Sequence, residues 1–132
     1  MYIGKYCTIE ADGSIGAGSM IANSVGVVGR TDHSIDDVGR PIRESTWVGE
    51  REAIPEDYIS IGRDCWIGFG AVLLSGVEIG NSVVVAAGSV VARSVVANSV
   101  VAGNPAKVLG PRFAEEDFLR HEAILDRRYG AV

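Results

Sequence analysis

Of the two histidines in this 132-residue chain, His33 stands in a polar, charged stretch and His121 in a charged segment near the C-terminus. An imidazole titrates near neutrality and can take the proton of an attacking hydroxyl or amine, a step typically worth about 10²–10⁴ in rate. Asp32, Asp36 and Asp37 flank His33, and a carboxylate beside an imidazole can orient the ring and stabilise its cation. The same three acids fit a solvated face, and a lone histidine fits a solvated loop, so spacing alone leaves both readings open. Cys7 and Cys65 have no metal-ligand spacing. Nothing after Met1-Tyr2-Ile3-Gly4 reads as a secretory leader, so both are expected to be reduced thiols in a cytoplasmic protein. A buried apolar thiol is a poor nucleophile, and direct attack on a donor is the expected route rather than a covalent cysteine intermediate.

The elements that must hold these residues show in a six-residue period. Ile3, Ile9, Ile15, Ile21 and Val27 fall six apart, and so do Ile61, Ile67, Leu73, Ile79, Val85, Val91 and Ala97. The residues four further on are mostly small, as at Cys7, Ser19, Cys65 and Ala71, and glycine often follows the aliphatic, as at Gly4, Gly16, Gly62, Gly68 and Gly80. Neither a helical period nor simple strand alternation produces this pattern. A three-sided coil does. Each hexapeptide is a short strand and a turn, with its aliphatic pointing into the prism and its small residue near a corner. Glycine there is expected to supply backbone angles that a side chain resists. Stacked coils pair strands in parallel and bury a ladder of aliphatics that one coil could not. A valine-rich sandwich would instead show alternation with irregular turn spacing.

The two runs are out of phase. His33, Gly39, Ser45, Arg51 and Asp57 stand where aliphatics would fall. Coils are therefore expected over about 3–29 and 58–109, with an inserted loop over about 30–57 and a partial coil within it near Val48-Gly49 and Ile54. Long polar loops tend to carry function. Ala114, Phe118, Leu125 and Tyr129 have helical spacing behind the acids Glu115, Glu116 and Asp117, which predicts a short α-helix over about 113–129 that caps the open coil or docks on a neighbour. All of this makes one domain, 1–132. A net charge of −5 argues against nucleic acid or an anionic membrane as the main partner. The apolar stretch from Val83 to Val108 is broken by Ser, Asn, Arg and Gly and is a poor membrane span.

Ile61-Gly62-Arg63-Asp64-Cys65-Trp66-Ile67-Gly68, Val77-Glu78-Ile79-Gly80 and Ala86-Ala87-Gly88-Ser89-Val90-Val91 resemble successive coils of the hexapeptide-repeat acyltransferases. Ala102-Gly103-Asn104-Pro105-Ala106-Lys107 resembles that family's terminal signature, and the likeness runs from about Tyr58 to Phe113. Thr31-Asp32-His33-Ser34 resembles the base-bearing loop of the sugar and polysaccharide O-acetyltransferase branch. The resemblance implies an all-β, left-handed parallel β-helix that forms a homotrimer with active sites between subunits. It also implies acetyl-CoA as co-substrate and no metal. His33 would be the general base, reaching the donor from a neighbouring chain, with Asp32 as a candidate partner.

The same resemblance assigns the backbone N–H of Phe69 to the developing oxyanion and Trp66 to the acceptor pocket, although a Trp in this turn fits packing between subunits equally. Asp36 is a candidate for the acceptor side. Ala87 would touch the pantetheine arm, Ala92 and Arg93 would lie near the nucleotide, and Gly103 would shape the turn beside it. Lys107 and Arg112 are candidates for phosphate oxygens; a solvated charge describes Arg112 equally well. The expected acceptor is a sugar or saccharide hydroxyl. The alternatives are N-acetylation of an amino sugar or antibiotic, and a non-catalytic scaffold, which would leave the charged insertion and the Gly103–Lys107 ending without purpose. A carbonic anhydrase on a similar β-helix would need three histidines for its zinc. Two features depart from the family. Coils begin at Ile3 without the helical segment that many relatives use for acceptor binding, and the stretch from His33 to Trp66 is longer than in the sugar acetyltransferases.

Overall fold

The computed structural model describes residues 1–131. In chain order its strands are β1 (Tyr2–Ile3), β2 (Thr8–Ile9), β3 (Asp12–Ile15), β4 (Met20–Ile21), β5 (Gly26–Val28), β6 (Tyr58–Ile61) and β7 (Trp66–Ile67). They continue as β8 (Val72–Leu74), β9 (Glu78–Ile79), β10 (Val84–Val85), β11 (Val90–Val91), β12 (Ser99–Gly103) and β13 (Ala106–Pro111), and the helix α1 (Glu115–Tyr129) closes the order. The strands wind around a three-sided prism. The first face stacks β1, β4, β7, β10 and β12 in parallel, and β13 folds back antiparallel on β12. The second face stacks β2, β5, β8 and β11, and the third stacks β3, β6 and β9. This is the left-handed parallel β-helix with one C-terminal helix.

Register places like on like. Ile3, Ile21, Ile67, Val85 and Val101 stack on the first face; Ile9, Val27, Leu73 and Val91 stack on the second; Ile15, Ile61 and Ile79 stack on the third. Ile21, Ile67 and Leu73 are fully buried. Burying each such side chain contributes roughly 1.5–3 kcal/mol, so the period found in the sequence is the source of the fold's cohesion.

The structure corrects four expectations. First, the glycines that follow the aliphatics do not supply unusual backbone angles. Left-handed φ falls at the corners instead, at Asp64 (55°), Ser82 (58°), Gly70 (67°) and Gly88 (70°). Gly68 is there because coils approach closely: a Cβ on it would lie 2.6 Å from the Ala87 nitrogen. Second, Ala97 does not point inward. Val95 bridges Ile79 on the third face and is buried, while Ala97 is exposed. The last complete coil is shorter than those before it, so Val101, read as a corner residue, instead stacks over Val85. Third, no partial coil forms in the insertion; Val48–Glu50 and Pro55–Asp57 are single 3-10 turns. Fourth, α1 does not cap the open coil. It lies along the corner between the third and first faces of its own chain.

Arg63 holds it there. This residue, only 4% exposed, donates to Glu122 Oε2 (2.9 Å), Asp126 Oδ1 (2.7 Å) and the Gly130 carbonyl (3.1 Å). Burial works against its charge, but the two carboxylates outweigh that and raise its pKa further. His121 donates from Nε2 to Asp64 Oδ2 at 2.7 Å and its ring packs on Phe113. Burial opposes the charge of Asp64, yet His121, Arg112 and Ser82 together hold its carboxyl below the usual range. No helix among the described residues is long and apolar enough to cross a membrane.

Candidate active site

The insertion leaves the prism after β5 and returns as β6. Because β3 pairs directly with β6, from Asp12 opposite Tyr58 to Ile15 opposite Ile61, the stack closes beneath the loop unbroken. Arg30 anchors its outgoing end: the backbone N–H reaches Ser75 Oγ (2.8 Å), Nε reaches the Ser75 carbonyl (3.0 Å), and Nη2 donates to the Ala92 carbonyl. Arg51 and Asp57 lock the returning end through a two-pronged ion pair of 2.7 and 2.8 Å. With Arg51 first and the Ile54 N–H second, the Asp57 carboxyl is lowered to about 2.

Within the loop, residues 32–34 and 46–48 run antiparallel. Val48 N–H donates to the Asp32 carbonyl (2.7 Å), Ser34 N–H donates to the Thr46 carbonyl (2.9 Å), and His33 bridges Trp47. Asp37 ties the turn by accepting the Thr46 N–H (2.9 Å), the Thr46 hydroxyl (3.1 Å) and the Ser34 hydroxyl (2.9 Å). The Thr46 N–H, then Ser34, hold its carboxyl below the ordinary range.

This framework presents His33 half buried on the wall of an open cleft of about 460 Å³, lined also by Arg30, Ser34, Asp36, Thr46 and Arg51. Nδ1 lies 3.3 Å from Ser45 Oγ, and Nε2 has no hydrogen-bond partner among the described residues. None of the three aspartates touches the ring. Asp32, the expected partner, turns its carboxylate back onto Gly29, because its backbone is taken up in pairing with Val48. Asp36 accepts from the Ser34 hydroxyl (2.9 Å) at the cleft edge.

The coil residues are spread over all three corners of the prism. Trp66 points outward from the first face, 50% exposed. Phe69, Ala87 and Gly88 lie at the corner between the first and second faces, where Gly88 N–H donates to the Phe69 carbonyl (2.8 Å). The N–H of Phe69 and both backbone groups of Ala87 have no partner among the described residues. Gly103, with φ at 104°, donates to Ser89 Oγ (3.1 Å) and opens the hairpin on which Lys107 is exposed. Ala92 and the exposed Arg93 lie past β11, beneath the anchored Arg30. Arg112 uses Nη1 on Asp64 (2.7 Å) and stacks on Phe113. Within one chain the loop bearing His33 therefore rises from the corner between the second and third faces, one corner away from Phe69 and Ala87.

Cys65 is buried, which raises its thiol pKa, and donates from Sγ to the Gly80 carbonyl (3.1 Å); it is no nucleophile. No group of three His, Cys, Asp or Glu among the described residues could hold a metal. Sequence reasoning missed Ser45 and Trp47, the two residues nearest His33 in the loop. The run Ser45-Thr46-Trp47, which closes the polar stretch, was their only signal.

Residues 58–93 match the family model described as bacterial transferase hexapeptide (six repeats). A chloramphenicol acetyltransferase of Escherichia coli is 42% identical over 57 residues, which cover 43% of this chain and 27% of that protein. A maltose O-acetyltransferase from Clostridium difficile 630 shares 27% identity at a TM-score of 0.65, covering 83% of this chain and 55% of the other. A hexapeptide-repeat acetyltransferase from Vibrio cholerae, solved with acetyl-CoA, shares 25% identity at a TM-score of 0.55, over 86% of this chain and 72% of the other. The chain spans about a quarter of the curated relative's length and half to three quarters of the two solved chains. In repeat, sequence and fold, the chain is similar to the hexapeptide-repeat acetyltransferases, and it carries the hexapeptide repeat itself over residues 58–93.

Proposed function

We propose that this chain transfers the acetyl group of acetyl-CoA to a hydroxyl of a saccharide, as a cytoplasmic homotrimer with sites between its subunits. The observation that carries the reading is His33: half buried on the wall of a cleft, pinned at Nδ1, with Nε2 unpartnered among the described residues, on an insertion that interrupts an otherwise regular coil. Nε2 takes the acceptor's hydroxyl proton as its oxygen attacks the thioester carbonyl. The unpaired N–H of Phe69 receives the oxyanion. The tetrahedral intermediate then collapses with cleavage of the C–S bond, His33 returns the proton to the CoA sulfur, and the acetyl ester departs.

The free backbone of Ala87 suits the pantetheine amides. Arg93, Lys107 and the unused nitrogens of Arg112 suit phosphates, with Ala92 and Gly103 shaping the nucleotide end. Trp66 and Asp36 are assigned to the acceptor. Assembly is supported by the outward side chains. On the first face these are Tyr2, Met20, Trp66, Val84 and Val100, whereas the third face shows Ser14, Ser60 and Glu78. Such a continuous apolar strip marks a partner surface, and a second copy would supply the His33 that one chain keeps away from its own Phe69.

The 42% identity to a chloramphenicol acetyltransferase favours a second reading of the acceptor alone, an antibiotic at the same base. Calorimetric titration with acetyl-CoA, run on the wild type and on His33→Ala, tests the proposal. Micromolar binding by both supports the donor cleft and leaves His33 to the chemistry. Absence of binding in both returns the chain to a scaffold.

A further inference from the structure

The structure assigns Ser45 as the positioning residue that sets the tautomer of His33. This rests on the reading of His33 as the base. Ser45 is 4% exposed at the end of the 3-10 turn Ile42–Glu44. Its hydroxyl lies 2.7 Å from the Ile42 carbonyl and 3.3 Å from His33 Nδ1. A serine hydroxyl has one proton and two lone pairs. The proton goes to the nearer acceptor, the carbonyl, which offers only lone pairs. Toward His33 the oxygen can then only accept, so Nδ1 must carry the hydrogen. In a neutral imidazole the other nitrogen is then bare, and that nitrogen is Nε2, which has no hydrogen-bond partner among the described residues on a ring that lines the cleft.

A carboxylate would do the same work through charge, but Asp32 faces Gly29, Asp36 holds Ser34, and Asp37 is engaged with Ser34 and Thr46. A neutral hydroxyl takes over the orienting task here. Placement follows from the loop as well as from the hydroxyl. Ser45 N–H also donates to the Ile42 carbonyl (3.1 Å), and Ser34 N–H to the neighbouring Thr46 carbonyl (2.9 Å). Backbone pairing on both sides of the ring therefore fixes the distance between Ser45 and His33.

The test is long-range ¹H–¹⁵N correlation of the imidazole rings in the full-length protein above neutral pH, where the two histidines are told apart with a His121→Gln variant. The inference predicts the Nδ1–H tautomer for His33 in the wild type, and a shift toward Nε2–H, the form favoured by free imidazole, in Ser45→Ala. Ser45→Thr, which keeps the oxygen, should restore Nδ1–H. Acetyl-CoA turnover with maltose as acceptor should fall about tenfold or more in kcat for Ser45→Ala, with KM for acetyl-CoA unchanged, because the wrong tautomer puts the hydrogen on the nitrogen that must take the acceptor's proton. An Nε2–H tautomer in the wild type overturns the assignment, and so does an unchanged tautomer in Ser45→Ala. Full turnover by His33→Ala would instead remove the base reading itself, whatever the tautomer.

Discussion

Gly68 offers a sharp test of how the coils are held together. A methyl group placed on it would meet the Ala87 nitrogen at 2.6 Å, the Val85 oxygen at 2.7 Å and the Ala86 carbonyl carbon at 2.9 Å. All three are backbone atoms of the next coil, so no side chain can swing aside. Reaching ordinary contact requires the coils to part locally by roughly 0.8 Å, a scale at which packed interiors lose much of their attraction. That movement stretches two rungs, Gly68 N–H to the Val85 carbonyl (2.8 Å) and Ala86 N–H to the Val101 carbonyl (2.9 Å). Overpacking of this kind costs about 1–3 kcal/mol, and weakening the rungs adds up to about 1 kcal/mol each. Gly68→Ala should therefore lose about 2–4 kcal/mol, the middle of the roughly 1–5 kcal/mol that the two contributions span. Gly70→Ala is the control. Nothing lies within 4 Å of its Cβ, but φ is +67°, so only the left-handed conformation is penalised, by about 1–2 kcal/mol. Thermal unfolding followed by circular dichroism reads the difference, at roughly 3–4 °C per kcal/mol for a chain of this size. Equal melting temperatures, or a larger loss at Gly70, would refute close approach as the reason for glycine after the inward aliphatic.

Three further outcomes follow from the geometry. With its folded carboxyl at about 2 against an ordinary 3.8, Asp57 contributes stability that is complete above about pH 4 and is lost as pH falls through about 2. Carboxyl ¹³C shifts should show this late titration, and Asp57→Asn should make the loop protease-sensitive already at neutral pH. Arg63→Met leaves Glu122 and Asp126 facing each other without their cation; partial exposure of both acids limits the cost to about 1–2 kcal/mol. Hydrogen exchange should quicken across 115–129 while the coil amides remain protected. Leu73→Ala empties a fully buried site and should lower stability by about 2–5 kcal/mol in denaturant titration.

The prism was legible because its signal repeats. Each coil needs an inward branched aliphatic at one position, so many independent residues state the same period, and Ile61 through Val91 leave one solution. The slip at Val95 was not legible, since Val95 and Ala97 are both small and apolar and only the shorter turn decides between them. The role of glycine was misjudged because a sequence shows a missing side chain without showing whether φ or a neighbouring backbone requires it. The position of α1 was hidden for a similar reason. Arg63 stands in a hexapeptide turn and reads as a surface charge until Glu122 and Asp126 arrive from the far end of the chain. At the site, His33 was visible by residue type, but its partner was not. Of the three aspartates near it in sequence, Asp36 and Asp37 are drawn into the loop's own hydrogen bonds and Asp32 turns onto Gly29. Ser45 reaches the ring through a fold of the insertion that no period announces.

The most direct measurement is mass-spectrometric analysis of the product when wild type and His33→Ala are each incubated with acetyl-CoA and a panel of saccharides. Acetyl transfer with His33 as base predicts an alkali-labile acetyl ester on a saccharide with the wild type and none with His33→Ala, although both bind acetyl-CoA. An acetylated saccharide formed equally well by His33→Ala, or an acetyl amide as the sole product, would contradict it.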